Sequence, residues 1–369
     1  MGKILFLNSC IEWGGGEKWT FETALELDQR GFDVIVASVE ESELYQKAKD
    51  HGLTTKVVPV RSSLSALNPV KMYSFVRYLK EEEIDTMFLN LSQDLKFGAW
   101  VGDIAGLEQI IYRRGSAIPI KDRFYTKFLL EDCVTDIIAN SKATKETILE
   151  NTQEWLSEDK IEIIYNGLKI DEIKGAKIKS DIREEFGIDE SKTLIANVGR
   201  LSRQKGHTYL AQAVKLLSQE REDFTVLVVG KGELEREIKE EVQELGVEDY
   251  IIFTGFRSDV YSIMKQIDFL LHTALWEGFG FVVAEAMAAG RAVVSTDVSN
   301  ISEIMIEGET GYLATSKNPQ DIAHKTEEMI GNQRRDEMGE LGREVVENNF
   351  AFQDQIDRLI KLYLDDKTR

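Results

Sequence analysis

The feature that most constrains this chain is a series of short, nearly continuous apolar runs that ends and then begins again. KILFLNS (Lys3 to Ser9) is followed by DVIVASV, TTKVVPV, IDTMFLNL, QIIYRRG, DIIANS and IEIIYNG, with helical patterns between them. From Thr193 a second series runs TLIANVG, TVLVVG, YIIFTG, DFLLHTA, AVVSTDV and GYLA. Runs without apolar–polar alternation are what parallel strands buried on both faces require. Strands alternating with helices specify an α/β fold with parallel sheets. The restart predicts two doubly wound, Rossmann-like domains. A single (β/α)₈ barrel has room for eight strands, and about a dozen candidates are too many for it. A length of 369 residues also exceeds what one core usually spans.

The stretch NGLKIDEIKGAKIKSD, Asn166 to Asp181, is poor in apolar periodicity and reads as the linker, giving domains of residues 1–166 and 167–349. Beyond them Phe352, Ile356, Leu359, Ile360 and Tyr363 fall on one helical stripe. A net charge of -20 repels nucleic-acid phosphates on average, so no nucleic-acid partner is expected. The two cysteines, Cys10 and Cys133, have no metal-ligand spacing and read as reduced packing residues. MGKILFLNSC turns polar too soon for a signal peptide, and no apolar run reaches the length of a membrane span. A cytoplasmic protein is expected, with any membrane contact confined to the surface.

Glycine-rich turns follow several of the strands. WGGGEKW places Gly15 and Gly16 between the first strand and an amphipathic stretch, Trp19 to Arg30. Glycine lets backbone approach a ligand, and a helix N-terminus offers N–H groups to an anion. The spacing matches neither the dinucleotide fingerprint nor the P-loop, and a tight strand-to-helix turn explains it equally. In NVGRLSRQKGH, Gly199 ends a strand, and Arg200 and Lys205 follow on the loop as a candidate diphosphate clamp. Gly230 in GKGELE and the Phe256–Arg257 turn in TGFRSDV repeat the pattern. Open α/β sheets bind ligands at the carboxyl ends of their strands, where these loops gather.

WEGFGFVVAEAMAAG sets two glutamates eight residues apart around a glycine turn. Glu277 follows a strand, while Glu285 sits about one turn into the next helix in apolar company that makes an unpaired carboxylate costly. Gly278, Phe279, Gly280 and Phe281 bring backbone N–H groups to the helix start. One carboxylate can take the hydroxyls of a sugar and the other those of a ribose, with a diphosphate between.

These motifs, EGFGFVVAE with GRLSRQKG upstream and WGGGEK near the start, resemble the retaining glycosyltransferases of family 4 (glycosyl transferases group 1). The likeness covers nearly the whole chain, including IIANS, YNGL and SEIMIEGETGYLA. It implies the GT-B fold, two facing Rossmann-like domains with an interdomain cleft, the first binding the acceptor and the second the donor. It also implies that the C-terminal helix, about 350–369, packs back on the first domain. Arg200 and Lys205 would hold the diphosphate, Glu285 the ribose and Glu277 the donor sugar. Gly15, Gly16, Gly199, Gly230 and the backbone of Gly278 to Phe281 would approach sugar and phosphate, and Phe256 and Arg257 would line the base. A UDP-sugar is the favoured co-substrate, with no metal and no other cofactor. The acceptor would be a glycan, a lipid-linked molecule or a small molecule in cell-envelope glycan synthesis.

One position departs from the family pattern. Many relatives carry a histidine where this chain has Arg113, Arg114 and Gly115. Arginine cannot serve as a general base near neutrality, so Arg114 is expected to bind on the acceptor side, with Arg113 turned to the opposite face. Two stretches are basic against the acidic whole: Arg61 to Lys80, and Arg113 to Lys127 with Asp122 alone against five cations. They read either as solvated faces or as contact with an anionic lipid surface or a phosphorylated acceptor. The competing activities are a nucleotide-sugar epimerase or hydrolase of the same architecture and an inactive nucleotide-sugar-binding protein.

Overall fold

A computed structural model describes residues 2–58, 60 and 68–365; Arg61 of the first basic stretch lies outside them. The chain divides into two compact units, residues 1–166 with 355–369, and residues 167–354.

The first unit holds a seven-stranded parallel sheet of β1 (Lys3–Leu7), β2 (Val34–Ser38), β3 (Thr54–Val57), β4 (Ile84–Leu89), β5 (Gln109–Arg114), β6 (Asp136–Ala139) and β7 (Ile161–Ile163), in the order β3-β2-β1-β4-β5-β6-β7. The apolar runs supply its core, with Leu5, Leu7, Ile35, Met87, Leu89, Tyr112 and Ile137 all buried. Each such side chain removed from water contributes about 1.5–3 kcal/mol.

The second unit repeats the plan with β8 (Thr193–Val198), β9 (Phe224–Val229), β10 (Ile251–Gly255), β11 (Phe269–His272), β12 (Ala292–Thr296) and β13 (Gly311–Ala314). These run parallel in the order β10-β9-β8-β11-β12-β13. In both sheets the order reverses once, between β1 and β4 and between β8 and β11. Such a switch point leaves a crevice at the carboxyl ends of the two strands flanking it. Helix Phe281–Ala288 is apolar almost all round because it is enclosed, packing on β12 and on helix Arg335–Phe350.

Two boundaries differ from the sequence reading. The first helix is Gly15–Gln29, so Gly15 and Gly16 lie in its first turn, with Gly14 as N-cap. The segment read as a linker is largely folded. Leu168 is buried and bridges to Ala351, and helix Ile170–Gly175 buries Ile170 and Ile173. Two apolar residues three apart are too few to register as a periodicity. Helix Phe352–Tyr363 buries Ile356, Leu359 and Tyr363. Within the first unit its Asp357 pairs with Arg30 and its Arg358 with Glu162. Among the described residues no helix is long and apolar enough to cross a membrane.

Candidate active site

The switch point of the second sheet assembles three ionisable side chains. β8 ends at Val198, and the chain passes Gly199 and Arg200, which is exposed, into the turn Arg203–Lys205. Lys205 folds back across Gly199, where an added Cβ would stand 3.0 Å from its Cε. The absence of a Cβ leaves room for the lysine stem to lie close on the backbone there. The turn is laced to the loop after β11. Leu275 N–H donates to Gln204 O at 2.7 Å, Gln204 Nε2 to Trp276 O at 2.9 Å, and Thr273 Oγ1 to Lys205 O at 3.0 Å.

This lacing sets the Lys205 ammonium on Oε1 of Glu277 in a pair that is mostly buried. His272, the last residue of β11, approaches the same oxygen with Nε2 at 3.0 Å, and the Glu277 N–H donates to Ser299 Oγ at 3.1 Å. Ser299 holds a φ of 54°, a left-handed conformation that costs a residue with a Cβ energy. Burial alone would raise the Glu277 carboxyl, but the Lys205 charge and the His272 N–H outweigh it and hold the carboxyl down at about 2. An ionised carboxylate only accepts, so His272 carries its proton on Nε2. Burial lowers the His272 pKa against the opposing pull of Glu277. The neutral ring then accepts at Nδ1 from Ser295 Oγ, 3.1 Å away on β12. The result is a fixed carboxylate, neutralised on one side by a cation and oriented on the other by an imidazole.

Around this centre the glycines permit close backbone approach. A Cβ at Gly230 would lie 1.9 Å from Gly199 O, so the ends of β8 and β9 can meet only without one. Gly280 caps helix Phe281–Ala288 with φ 86°, and a Cβ there would strike Ile301. Phe279 is buried and packs edge-on against Phe281 and Phe350, so only its backbone can face a ligand. Gly16, in the first unit, has open space where a Cβ would be, so packing does not demand glycine there.

Glu285 lines a cavity of about 520 Å³ together with Val198, Asp259, Tyr261 and Lys179. Tyr261 Oη donates to Glu285 Oε1 at 3.2 Å. Arg257, expected to line the base, is held between two carboxylates. Its guanidinium grips Asp259 at 2.9 Å through Nε and again through Nη2, and its Nη1 and Nη2 reach Glu185. With most of its donors on two carboxylates it shapes the loop, whose Ser258 and Asp259 line the cavity. Phe256 is exposed and outside that lining.

The first unit has a polar cluster at its own switch point that sequence reasoning missed. Glu17, in the first turn of helix Gly15–Gln29, is buried and accepts from Asn8 Nδ2 at 3.2 Å. Arg113 is buried 4.3 Å over the Trp19 ring, with Nη1 on Asn90 Oδ1 at 3.2 Å and Nη2 on Asn166 Oδ1 at 2.7 Å. Burial pushes its pKa down to about 10, against the opposing charge of Glu17. Asp94 is fully buried, and burial raises it to about 7 although Ser9 and Leu91 donate to it. Arg113 and Arg114 do alternate across the strand. Arg114, expected on the acceptor side, lines a pocket of its own, bonded to Tyr112 Oη at 3.2 Å and Ile118 O at 2.8 Å. The member of the pair that joins the switch-point cluster is Arg113. Among the described residues no group of three or more His, Cys, Asp or Glu is placed to hold a metal ion.

Beside the Lys205 turn, His207 is buried, and burial followed by the Lys205 charge lowers it to about 4. The unfolded chain, with an ordinary value of 6.5, therefore binds a proton that the folded chain refuses between about pH 6.5 and 4. This contribution to stability is complete above that window and is lost as pH falls through it. On moving from pH 7.5 to 5.5, wild type is expected to lose about 1–1.5 kcal/mol more than His207→Gln. Urea denaturation midpoints at the two pH values check this.

Both units have the architecture of solved glycosyltransferases. Anabaena HepE, solved in complex with UDP and glucose, superposes with a TM-score of 0.83 at 22% identity, covering 98% of this chain and 99% of that one. A glycosyltransferase from Rickettsia africae superposes at 0.86 with 20% identity, covering 98% and 97%. At such identities the likeness defines a class of fold, and that class is GT-B. Residues 13–172 match the family model described as Glycosyltransferase Family 4, and residues 178–345 match that described as Glycosyl transferases group 1. The chain belongs to this family of glycosyltransferases. An Escherichia coli UDP-Gal:alpha-D-GlcNAc-diphosphoundecaprenol alpha-1,3-galactosyltransferase is 22% identical, with 92% of this chain and 90% of that protein aligned. The Staphylococcus aureus capsular polysaccharide biosynthesis glycosyltransferase CapM is 26% identical over 91% of each. An uncharacterized glycosyltransferase of Methanocaldococcus jannaschii is 33% identical, but the alignment spans 52% of this chain and half of that protein.

Proposed function

We propose that the protein is a retaining glycosyltransferase that takes a sugar from a nucleotide-diphospho-sugar, UDP being the favoured nucleotide, and passes it to a hydroxyl of a glycan or lipid-linked acceptor in envelope glycan synthesis. The observation that carries this reading is the Lys205–Glu277–His272 cluster at the second switch point, with Glu285 in the neighbouring cavity. Lys205 and Arg200 take the diphosphate and stabilise the charge that grows on the leaving phosphate oxygen. Glu277, held ionised, faces the donor sugar, where positive charge develops. His272 keeps that carboxylate in one orientation, and Glu285 receives the ribose hydroxyls. The departing phosphate oxygen itself can accept the acceptor proton on the same face, so no protein base is needed. The relatives support the donor class and the envelope setting: HepE was solved with UDP, and the E. coli and S. aureus proteins act on a polyprenol-linked sugar and in capsule synthesis. The test is a panel of nucleotide sugars screened by calorimetry and donor hydrolysis, with the anomeric configuration of the product read by NMR. Inversion at the anomeric carbon, or no nucleotide binding, overturns the proposal.

The division between the two glutamates is measurable. Glu285→Gln is expected to weaken UDP binding more than it slows transfer, and Glu277→Gln to do the reverse, as titration and turnover report separately. Equal losses of affinity in the two variants contradict the assignment. Transfer is also expected to continue undiminished in excess chelator, because two cations serve the diphosphate. A full dependence on added magnesium or manganese overturns that expectation.

A further inference from the structure

The pocket that receives Arg114 lies across β5 from Arg113, outside the first unit's switch-point cluster. It has a volume of about 220 Å³, below the roughly 300–1,000 Å³ of pockets that enclose drug-sized ligands. Three cations, Lys96, Arg114 and Lys121, line it with Ser92, Tyr112 and Tyr125, and no carboxylate is among its lining residues. In a chain of net charge -20 that concentration is an exception. Arg114 is held in place by Tyr112 and Ile118, and its buried Nε has no hydrogen-bond partner among the described residues. Next in the chain to the lining residues Pro119, Tyr125 and Leu129 stand exposed apolar side chains. Phe124 is 91% exposed and Ile118 56%, and Phe128 and Tyr125 are also exposed on the same short helix, Phe124–Phe128. Arg123 and Lys127 flank them.

We infer that this pocket binds the phosphate of an amphiphilic acceptor, with the hydrocarbon part seated on Ile118, Phe124 and Phe128. The inference rests on the proposed reading of the protein as a transferase with a lipid-linked acceptor. A planar guanidinium and two ammonium groups match phosphate oxygens. Aromatic side chains beside lysine and arginine suit the boundary between headgroups and hydrocarbon. A free phosphate has the same charge but gives the exposed apolar side chains of the adjoining segment no role. The occupant is therefore a phosphate carried by a lipid chain.

The test is cosedimentation of the full chain with phosphatidylcholine vesicles, either plain, doped with dodecyl phosphate, or doped with oleate to the same surface charge. Dodecyl phosphate vesicles are expected to retain the protein at least tenfold better than oleate vesicles. The Lys96→Ala/Arg114→Ala/Lys121→Ala variant is expected to lose that preference, and Phe124→Ser to lose several-fold in retention. Should the triple variant not fold, Lys121→Glu, at an exposed position, still decides the matter. Equal retention by oleate vesicles, or an unchanged preference in these variants, overturns the site. If pyrophosphate in solution, measured by calorimetry, binds as tightly as the doped vesicles and Phe124→Ser changes nothing, the lipid assignment is overturned. UDP titration of the same preparations reports on the second unit, so a failure of the donor reading shows there and not in the vesicle comparison.

Discussion

Replacing Lys205 by alanine is expected to cost both activity and stability. Its ammonium is the cation nearest Glu277 and one of two available to a diphosphate. Removing a donor aimed at developing negative charge lowers turnover about 10²–10³-fold, or about 3–4 kcal/mol. Removing one partner of a buried ion pair leaves the other charge uncompensated, at about 3–5 kcal/mol. The two losses can be separated by pH. Without Lys205, burial raises the Glu277 carboxyl above its unfolded value, so the deficit is largest at high pH and shrinks as pH falls and the carboxyl takes up a proton. Lys205→Met combined with Glu277→Gln should restore most of the denaturation midpoint while transfer stays abolished. A single variant with wild-type turnover, or a deficit that grows on acidification, contradicts the assignment.

Gly206→Ala is expected to be nearly as damaging, although it removes no functional group. Gly206 has φ 63°, and a Cβ there would stand 2.1 Å from the carbonyl oxygen of Thr273. The left-handed conformation alone costs about 1–2 kcal/mol for a residue with a Cβ. Relieving the clash also requires backbone to move, and the loop that must move carries Glu277. A total loss of about 3 kcal/mol or more is expected, with UDP affinity falling as Lys205 leaves its place on Gly199. Gly187 is the control, with φ 66° and open space around its missing Cβ. Gly187→Ala should cost only the conformational part, about 1 kcal/mol, and leave UDP affinity unchanged. Equal midpoints for the two variants count against the close approach of turn and loop.

The two sheets were legible because each strand is a nearly unbroken apolar run, and burial on both faces leaves that mark on sequence. Glu277, Glu285 and Lys205 were legible because glycine turns at strand ends announce them. What stayed hidden depended on register and distance. His272 reads in DFLLHTA as one polar residue in a buried strand; only the pairing of β11 with β12 sets it against Ser295, and only the path of the following loop brings Glu277 back onto it. The packing of Arg257 was hidden because Asp259 is two residues away but Glu185 is 72 residues away, so half of its partners could not be seen. Alternation along β5 correctly separated Arg113 from Arg114. It could not tell which face holds Trp19, Asn90 and Asn166.

The second unit begins at Gly167 and ends at Asp354, and its two ends are joined side by side: Leu168 N–H donates to Phe350 O at 2.7 Å, and Phe352 N–H to Leu168 O at 2.9 Å. In topological terms residues 167–354 are an insertion into the first unit, spliced in through one doorway. A ribosome making this chain releases the whole insertion before it supplies Ile356, Leu359 and Tyr363. Until then the surface those side chains cover in the first unit stays bare. The earlier-made unit is thus the later one to be sealed, and its nascent form is the stage of biogenesis most exposed to proteases and to chaperones that bind apolar surface.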